Sequence, residues 1–427
     1  MLFTKCIRVV SIFLLCACSS EEYLIKPKDY YNLGTNSTDV YKKDSSLIYP
    51  HRKIISDPEN ESLAHGSRFI VSNRNLYFSY YSGRTTTVEN IEGTDIKVCI
   101  ARYLLDLNIV EDRRVVLSKS DSTSNGFIQS SYYSPYDPAL IMICDTIRVW
   151  MILSPTYNGK DADRTIGFRD ISVKGLKLSP SVHTCYINYF VNGESFLDSF
   201  SMDNLAKFAN RIRGRTIENR NMGAYPVLNG VKWYNDELYT VLSFVTSVGN
   251  NSLSPCILKS RDQGLTWNYV CSVGEQYDLS RFWEVDWAII QDKIFIVSRS
   301  VDSFSAPCFV YDILSDRFIK ETVLVNGEVD DSRPCVFTRD SFVYVVVNAH
   351  PRYKDVLRTR IRLLKLDRDL RIINQRDLLF PDGCSYFSVK EINDRVVMVY
   401  SEDYRRRILA SKGDIAITDI TDIVEQL

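Results

Sequence analysis

Arginine, carboxylate and tyrosine recur at matching places along this chain. Arg68, Arg299, Arg333, Arg358 and Arg360 each lie at the edge of a run rich in β-forming residues, as do Glu284, Glu402 and Tyr386. Glu284 and Arg299 bracket one such run, and Tyr386 and Glu402 bracket another. A guanidinium is planar and presents paired donors, so it binds a carboxylate bidentately where lysine offers only a point charge. Taken singly, an arginine at a strand end is a solvated charge. Gathered around one mouth, these groups would read an acidic ligand. Metal chemistry is not expected: the chain has 4 histidines, none in a short ligand spacing with another histidine or a cysteine.

The elements that must position these residues are repeated hairpins. A β-rich run, a short polar break and a second β-rich run occur at Ser67–Gly83, Tyr136–Pro155, Ala224–Ser247, Phe282–Val301, Ser332–His350 and Cys384–Asp403. Breaks such as Asn73-Arg74-Asn75, Asn235-Asp236 and Asn393-Asp394 are hairpin-turn chemistry. Second hairpins follow at Cys256–Val270, Cys308–Lys320 and Ile361–Leu378. Two hairpins per repeat make a four-stranded antiparallel sheet, and six such sheets make an all-β, six-bladed β-propeller over residues 60–424. Two packed β-sandwiches are the alternative, but they do not predict the recurrence. Helical periodicity is confined to Met202–Arg213, within a segment near 180–223 expected to leave the propeller face. In each blade the start of the first strand, the end of the second and the start of the third share one end. The arginines, carboxylates and Tyr386 therefore converge on one face.

Ser260-Arg261-Asp262-Gln263-Gly264-Leu265-Thr266-Trp267 fits S-x-D-x-G-x-T-W in full. Asp262 can bond the backbone of its own turn, Gly264 relieves a conformation other residues resist, and Trp267 covers the turn. The motif resembles the Asp box of the sialidase superfamily, a structural device on the face opposite the mouth. That resemblance implies roles for the mouth residues. Arg68, Arg299 and Arg358 correspond to the three arginines that clamp the substrate carboxylate, with Arg333 as the alternative to Arg358. Tyr386 resembles the nucleophile, a phenol that can approach an anomeric carbon already bearing a carboxylate. Glu284 would take the phenol proton, and Glu402 would hold Arg68. Asp95 is similar to the acid/base that protonates the leaving oxygen, with Glu89 and Glu92 as rival carboxylates. Phe69-Ile70 follows Arg68 where the family usually has Ile-Pro.

The N-terminus reads as an address. Lys5 and Arg8 precede an apolar run too short to span a bilayer. Leu15-Cys16-Ala17-Cys18 resembles a bacterial lipobox, with residues 1–17 the signal peptide and Cys18 lipidated. Ser19-Ser20-Glu21-Glu22 resembles the acidic export tag of surface lipoproteins, and residues 18–59 form the anchored linker. The expected location is the cell envelope, on the outer membrane and surface-exposed, held by acyl chains. Three of the 11 cysteines belong to this leader or anchor; most of the others, including Cys99, Cys144, Cys308 and Cys335, read as small buried hydrophobes. Cys256 and Cys271 are symmetric about a hairpin, which leaves a cross-strand disulfide open.

Composition bounds the rest. The chain has 427 residues, 45% of them hydrophobic and 25% charged, enough for a large core. Lys+Arg is 52 against Asp+Glu 53, so no basic field exists to collect nucleic acid. No cofactor is implied, and the expected state is a monomer. The resemblance favours a retaining exo-glycosidase that releases a terminal acidic 2-keto sugar, either sialic acid or a related keto-deoxy sugar acid. A glycan-binding propeller without turnover and a purely structural lipoprotein are the alternatives.

Overall fold

The computed structural model describes residues 50–57, 63–83, 96–118, 133–155, 164–213, 226–244, 253–273, 282–300, 305–325, 329, 332–349, 358–380, 383–402 and 413–427. Six sheets follow one another along the chain, each with an antiparallel core of strands. Blade one is Leu63–Ser72, Asn75–Gly83, Lys97–Leu104 and Ile109–Ser118. Blade two is Tyr133–Ile143, Thr146–Pro155 and Thr165–Ser172, finished by the two-residue strands Lys177–Leu178 and His183–Thr184. Blade three is Pro226–Tyr234, Glu237–Phe244, Leu253–Ser260 and Thr266–Ser272. Blade four is Phe282–Ile290, Lys293–Ser300, Pro307–Asp312 and Arg317–Val323, and blade five is Cys335–Arg339, Phe342–Asn348, Arg360–Leu366 and Ile372–Leu379. Blade six takes Cys384–Ile392, Arg395–Glu402 and Asp414–Asp419, and its outer strand is Arg52–Ile54 from the other end of the chain. That strand precedes residue 60, the start expected for the propeller.

Burial within a blade follows from packing on both faces. In blade five the second strand, Phe342–Asn348, is buried almost throughout, whereas the outer strand Ile372–Leu379 is largely exposed. A run such as Val343-Tyr344-Val345-Val346-Val347 suits a strand covered on both sides, because β-branched and aromatic side chains fit a pleated surface. Each hydrophobic cluster joins neighbours: blades one and two, two and three, three and four, four and five, five and six, and six and one. The last of these closes the ring. The hairpins between first and second strands turn on paired left-handed residues, as at Asn73 and Arg74 (φ 48° and 62°) and Asn393 and Asp394 (46° and 65°). Two-residue turns of that hand match the twist of the strands they join.

Two details differ from expectation, and a third, left open by the sequence, is decided. The hairpin Tyr186–Val191 and Glu194–Ser199 does not leave the propeller face; it adds to the outer edge of blade three, where Tyr186–Asn188 pairs in parallel with Thr266–Asn268. The helix Met202–Arg213 follows it and buries Met202, Leu205, Phe208 and Ala209 in the core between blades two and three. Cys144 is exposed in the blade-two turn, with φ 51°, and is not a buried strand residue. Cys256 and Cys271 are not bridged. Cys256 pairs with Ser272, and Cys271 pairs with Ile257, so the two thiols project from opposite faces of the blade. Cys256 belongs to the core with blade two and Cys271 packs toward blade four. Among the described residues no helix is long and apolar enough to cross a membrane.

The turn built by Ser260, Asp262, Gly264 and Trp267 locks one hairpin of blade three. Asp262 accepts Thr266 N–H at 2.8 and 3.0 Å, and Ser260 Oγ donates to Asp262 at 2.7 Å and accepts Gly264 N–H at 2.8 Å. Burial works against the Asp262 charge, but these bonds from Thr266 and Ser260 hold its carboxyl below the usual range. Trp267 is fully buried and meets Trp150 of blade two at 6.0 Å between ring centroids. Gly264 has φ 85°, and a Cβ there would lie 2.5 Å from Trp150. Gly264→Ala is therefore expected to destabilise the fold by roughly 2–5 kcal/mol, read as a lowered urea midpoint at unchanged slope.

Candidate functional site

The mouth is built from irregularities in the inner strands. Five of the six first strands shift register near their start, between His65 and Arg68, Tyr136 and Ala139, Leu228 and Val231, Phe282 and Val285, and Ser385 and Ser388. A bulge bends the strand and re-aims the side chains beside it. Asp137, Glu284, Arg333 and Tyr386 each lie seven residues before the first left-handed residue of their hairpin turn, at Cys144, Gln291, Asp340 and Asn393. They occupy one level of four different blades. Tyr386 and Asp137 have φ 53° and 46°, and Arg358, just before the third strand of blade five, has φ 48°. For a bulky residue such a φ is a true outlier, costing on the order of 1–3 kcal/mol, and such strain concentrates at functional positions.

The groups around Tyr386 come from four blades. The His65 and Tyr386 rings meet edge to face with centroids 4.3 Å apart, and the Arg333 guanidinium lies 4.8 Å from the Tyr386 centroid. Arg333 is 1% exposed and donates from Nη1 to Asp137 Oδ1 at 2.9 Å, joining blade five to blade two directly across the ring. Glu284 and Arg299, both buried, form an ion pair. The electrostatics place these side chains together. Burial, then Glu284, push the Tyr386 phenol up, while Arg299, Arg358 and Arg333 pull it down; the net shift is upward. Tyr386 is a neutral phenol at physiological pH and needs a base to become a nucleophile. Burial opposes the Arg333 charge, but Asp137, Glu284 and Tyr386 outweigh it and hold the guanidinium firmly protonated. An aromatic row continues from His65 to Tyr81 (5.4 Å) and Tyr136 (6.5 Å), with Arg164 over the Tyr136 ring at 5.8 Å.

The expected site residues thus separate into groups. Tyr386, Glu284, Arg299, Arg358 and Arg333 are brought together. Arg68 is set back from Tyr386: it lies five residues before its turn, beyond the bulge, and pairs with Asp286 at 3.6 Å, while Arg333 and Asp137 of the mouth act on it electrostatically. Glu402, expected to hold Arg68, accepts Arg52 Nε instead. Ser260, Asp262, Gly264 and Trp267 sit in the far turn of blade three. Asp95, its rivals Glu89 and Glu92, and Cys18 with the whole leader lie outside the described residues. His65, Asp137, Tyr136 and Arg164 were not anticipated. Asp137 could have been found by counting back seven residues from its turn, the spacing that Glu284 and Tyr386 already share. Among the described residues no cluster of histidine, cysteine and carboxylate could hold a metal ion.

No protein-family model matches the chain, and no curated protein matches it. Solved structures do. Trypanosoma rangeli sialidase superimposes with a TM-score of 0.55 at 10% identity over 89% of this chain and 60% of that one. A Hadza microbial sialidase gives 0.57 at 12% identity over 85% and 66%. The leech intramolecular trans-sialidase, complexed with 2,7-anhydro-Neu5Ac, gives 0.54 at 11% identity over 91% and 73%. The fold is that of the sialidases. The chain spans about 60% of the length of the trypanosomal enzyme. That enzyme has been seen with sialic acid and, as a covalent intermediate, with 2,3-difluorosialic acid. At these identities the sialidase likeness concerns the fold, and the chemistry of this chain rests on its own residues.

Proposed function

We propose that the protein is a retaining exo-glycosidase that releases a terminal acidic 2-keto sugar from glycans. The observation that supports this reading is the surroundings of Tyr386: a phenol on a left-handed backbone, with Arg333 against its ring and one buried glutamate and two further arginines acting on it electrostatically. Arg299 and Arg358, with Arg333 in the place first expected for Arg68, bind the sugar carboxylate. Tyr386 attacks the anomeric carbon as Glu284 takes the phenol proton. An acid from the segment containing Asp95 protonates the departing glycosidic oxygen, so the C–O bond to the leaving group breaks as the bond to the tyrosine forms. Water then cleaves the glycosyl-tyrosine, with the same acid now acting as base and the proton returning to the phenolate. A neutral nucleophile suits an anomeric carbon flanked by a carboxylate, since a second carboxylate would be repelled. The aromatic row from His65 to Tyr136 offers apolar ring faces beside the carboxylate site. Lipid anchoring at Cys18 would place this activity on the cell surface.

A panel of aryl glycosides of sialic acid and of keto-deoxy sugar acids, with neutral aryl glycosides beside them, tests the reading. Release of the aryl alcohol is expected from at least one acidic member and from none of the neutral ones. Turnover confined to neutral sugars would overturn it.

A further inference from the structure

Beneath the mouth, the propeller axis carries a second set of charges that this chemistry does not use. Arg68, Asp286 and Cys335 lie five residues before the turn residues Asn73, Gln291 and Asp340; Lys232 and Lys390 lie three residues before Asn235 and Asn393. Side chains two residues apart on a strand share a face, spaced about 7 Å. These five residues therefore form two successive layers below Asp137, Glu284, Arg333 and Tyr386. They act on one another electrostatically across the axis.

Among the described residues, cations outnumber carboxylates there. Lys232 and Lys390 come from blades three and six, which face each other across the ring, and their Nζ atoms lie 5.3 Å from the Trp287 ring and 5.9 Å from the Phe69 ring. Asp286 is the carboxylate that acts on both. Its Oδ1 is 3.6 Å from Arg68, and its Oδ2 accepts Val336 N–H at 2.7 Å. Asp137, which also acts on Arg68, is taken by Arg333. The Arg68 side chain is 11% exposed, and its Nη1 is packed against the Gly230 bulge of blade three, 3.5 Å from where a Cβ would stand. Its Nε and Nη2 are buried with no hydrogen-bond partner among the described residues. Burial, then Lys232, bring the Lys390 amine down to about 8, and burial lowers Lys232 and Arg68 as well. Buried donors such as those of Arg68 are costly unless something satisfies them, and the two half-buried lysines beside it add charge of the same sign.

We propose that the axis of the propeller binds a small inorganic anion, of halide or sulfate size, between Arg68, Lys232 and Lys390. Such an ion accepts from Nε and Nη2 of Arg68, offsets the two lysines, and ties blades one, three and six together where no strand ladder joins them. The site is separate from the proposed substrate carboxylate, which lies at the level of Tyr386, and it does not depend on the glycosidase reading.

Thermal unfolding of the whole protein in sodium bromide or sodium sulfate, against sodium gluconate at matched ionic strength, tests this. An ion that binds only the folded state raises Tm with a saturating dependence on its concentration. A saturable rise of several degrees is expected, larger in sulfate if the site takes a tetrahedral oxyanion and larger in bromide if it takes a halide. Lys390→Met, or Lys232→Met should the first variant not fold, is expected to abolish the rise. Crystals grown in bromide are expected to show an anomalous peak between the three cations if the site takes a halide. A rise that never saturates, or one shared equally by the parent and both lysine variants, is a general salt effect and would overturn the proposal.

Discussion

Tyr386→Phe is expected to abolish turnover of the aryl glycoside that the parent protein cleaves, with kcat falling by roughly 10³–10⁶. The change removes one oxygen and leaves the ring, so the edge contact with His65 and the Arg333 guanidinium over the ring persist. Arg299 and Arg358 are untouched, so the affinity for the free acidic sugar should stay within about threefold, since the interactions that bind the carboxylate do not pass through the phenol. A large loss of kcat with little loss of binding is the signature of a nucleophile. An equal loss of both would mean that Tyr386 only shapes the pocket. The same pair of measurements separates an enzyme from a glycan-binding propeller, because a binding protein shows carboxylate affinity in the parent and no turnover for the substitution to remove.

Asp137→Asn is expected to give the largest loss of stability of any single change at the mouth. Arg333 is 1% exposed, and Asp137 is its hydrogen-bonded carboxylate at 2.9 Å from the opposite blade. Removing one partner of a buried pair strands the other charge, at a cost of about 3–5 kcal/mol. Asparagine accepts the left-handed backbone that Asp137 adopts at φ 46° more readily than most residues, so the substitution isolates the charge from backbone strain. Chemical denaturation should show the midpoint falling at unchanged slope. Adding Arg333→Met should recover a substantial part of the loss, because an apolar side chain of similar length leaves no stranded guanidinium. No recovery in the double variant would mean that Asp137 acts through its own turn and not through Arg333.

The architecture was legible because a repeated hairpin writes itself into sequence twice, as apolar runs and as turn residues at fixed intervals. The six apolar pairs, with breaks such as Asn73-Arg74 and Asn393-Asp394, mark the blades without any knowledge of contacts. Glu284, Arg299, Arg333, Arg358 and Tyr386 were legible for a related reason: strand ends at one edge of every blade must converge. Arg68 shows where that reasoning stops. Distance from the start of a strand is a poor guide when a bulge inserts extra residues, whereas distance back from the turn is not affected by it. Counted from the turn, Arg68 falls in step with Asp286, and its expected place beside Tyr386 passes to Arg333. Glu402 turned out to accept Arg52 because the outer strand of its blade comes from the other end of the chain, a pairing that local pattern does not reveal. The hairpin Tyr186–Glu194 region was misplaced for the same cause, since its partner strand, Thr266–Ser272, lies far along the sequence.

Reaction with a 2,3-difluoro acidic keto sugar, followed by intact mass measurement and peptide mapping, bears most directly on the role given to Tyr386. Fluorine at C3 disfavours the positive charge that develops at the anomeric carbon and slows hydrolysis of the covalent intermediate. One glycosyl group per chain, located on the peptide containing Tyr386 and absent from Tyr386→Phe, is the predicted result. An adduct on Glu284, or none on a protein that turns over the parent sugar, would contradict a tyrosine nucleophile.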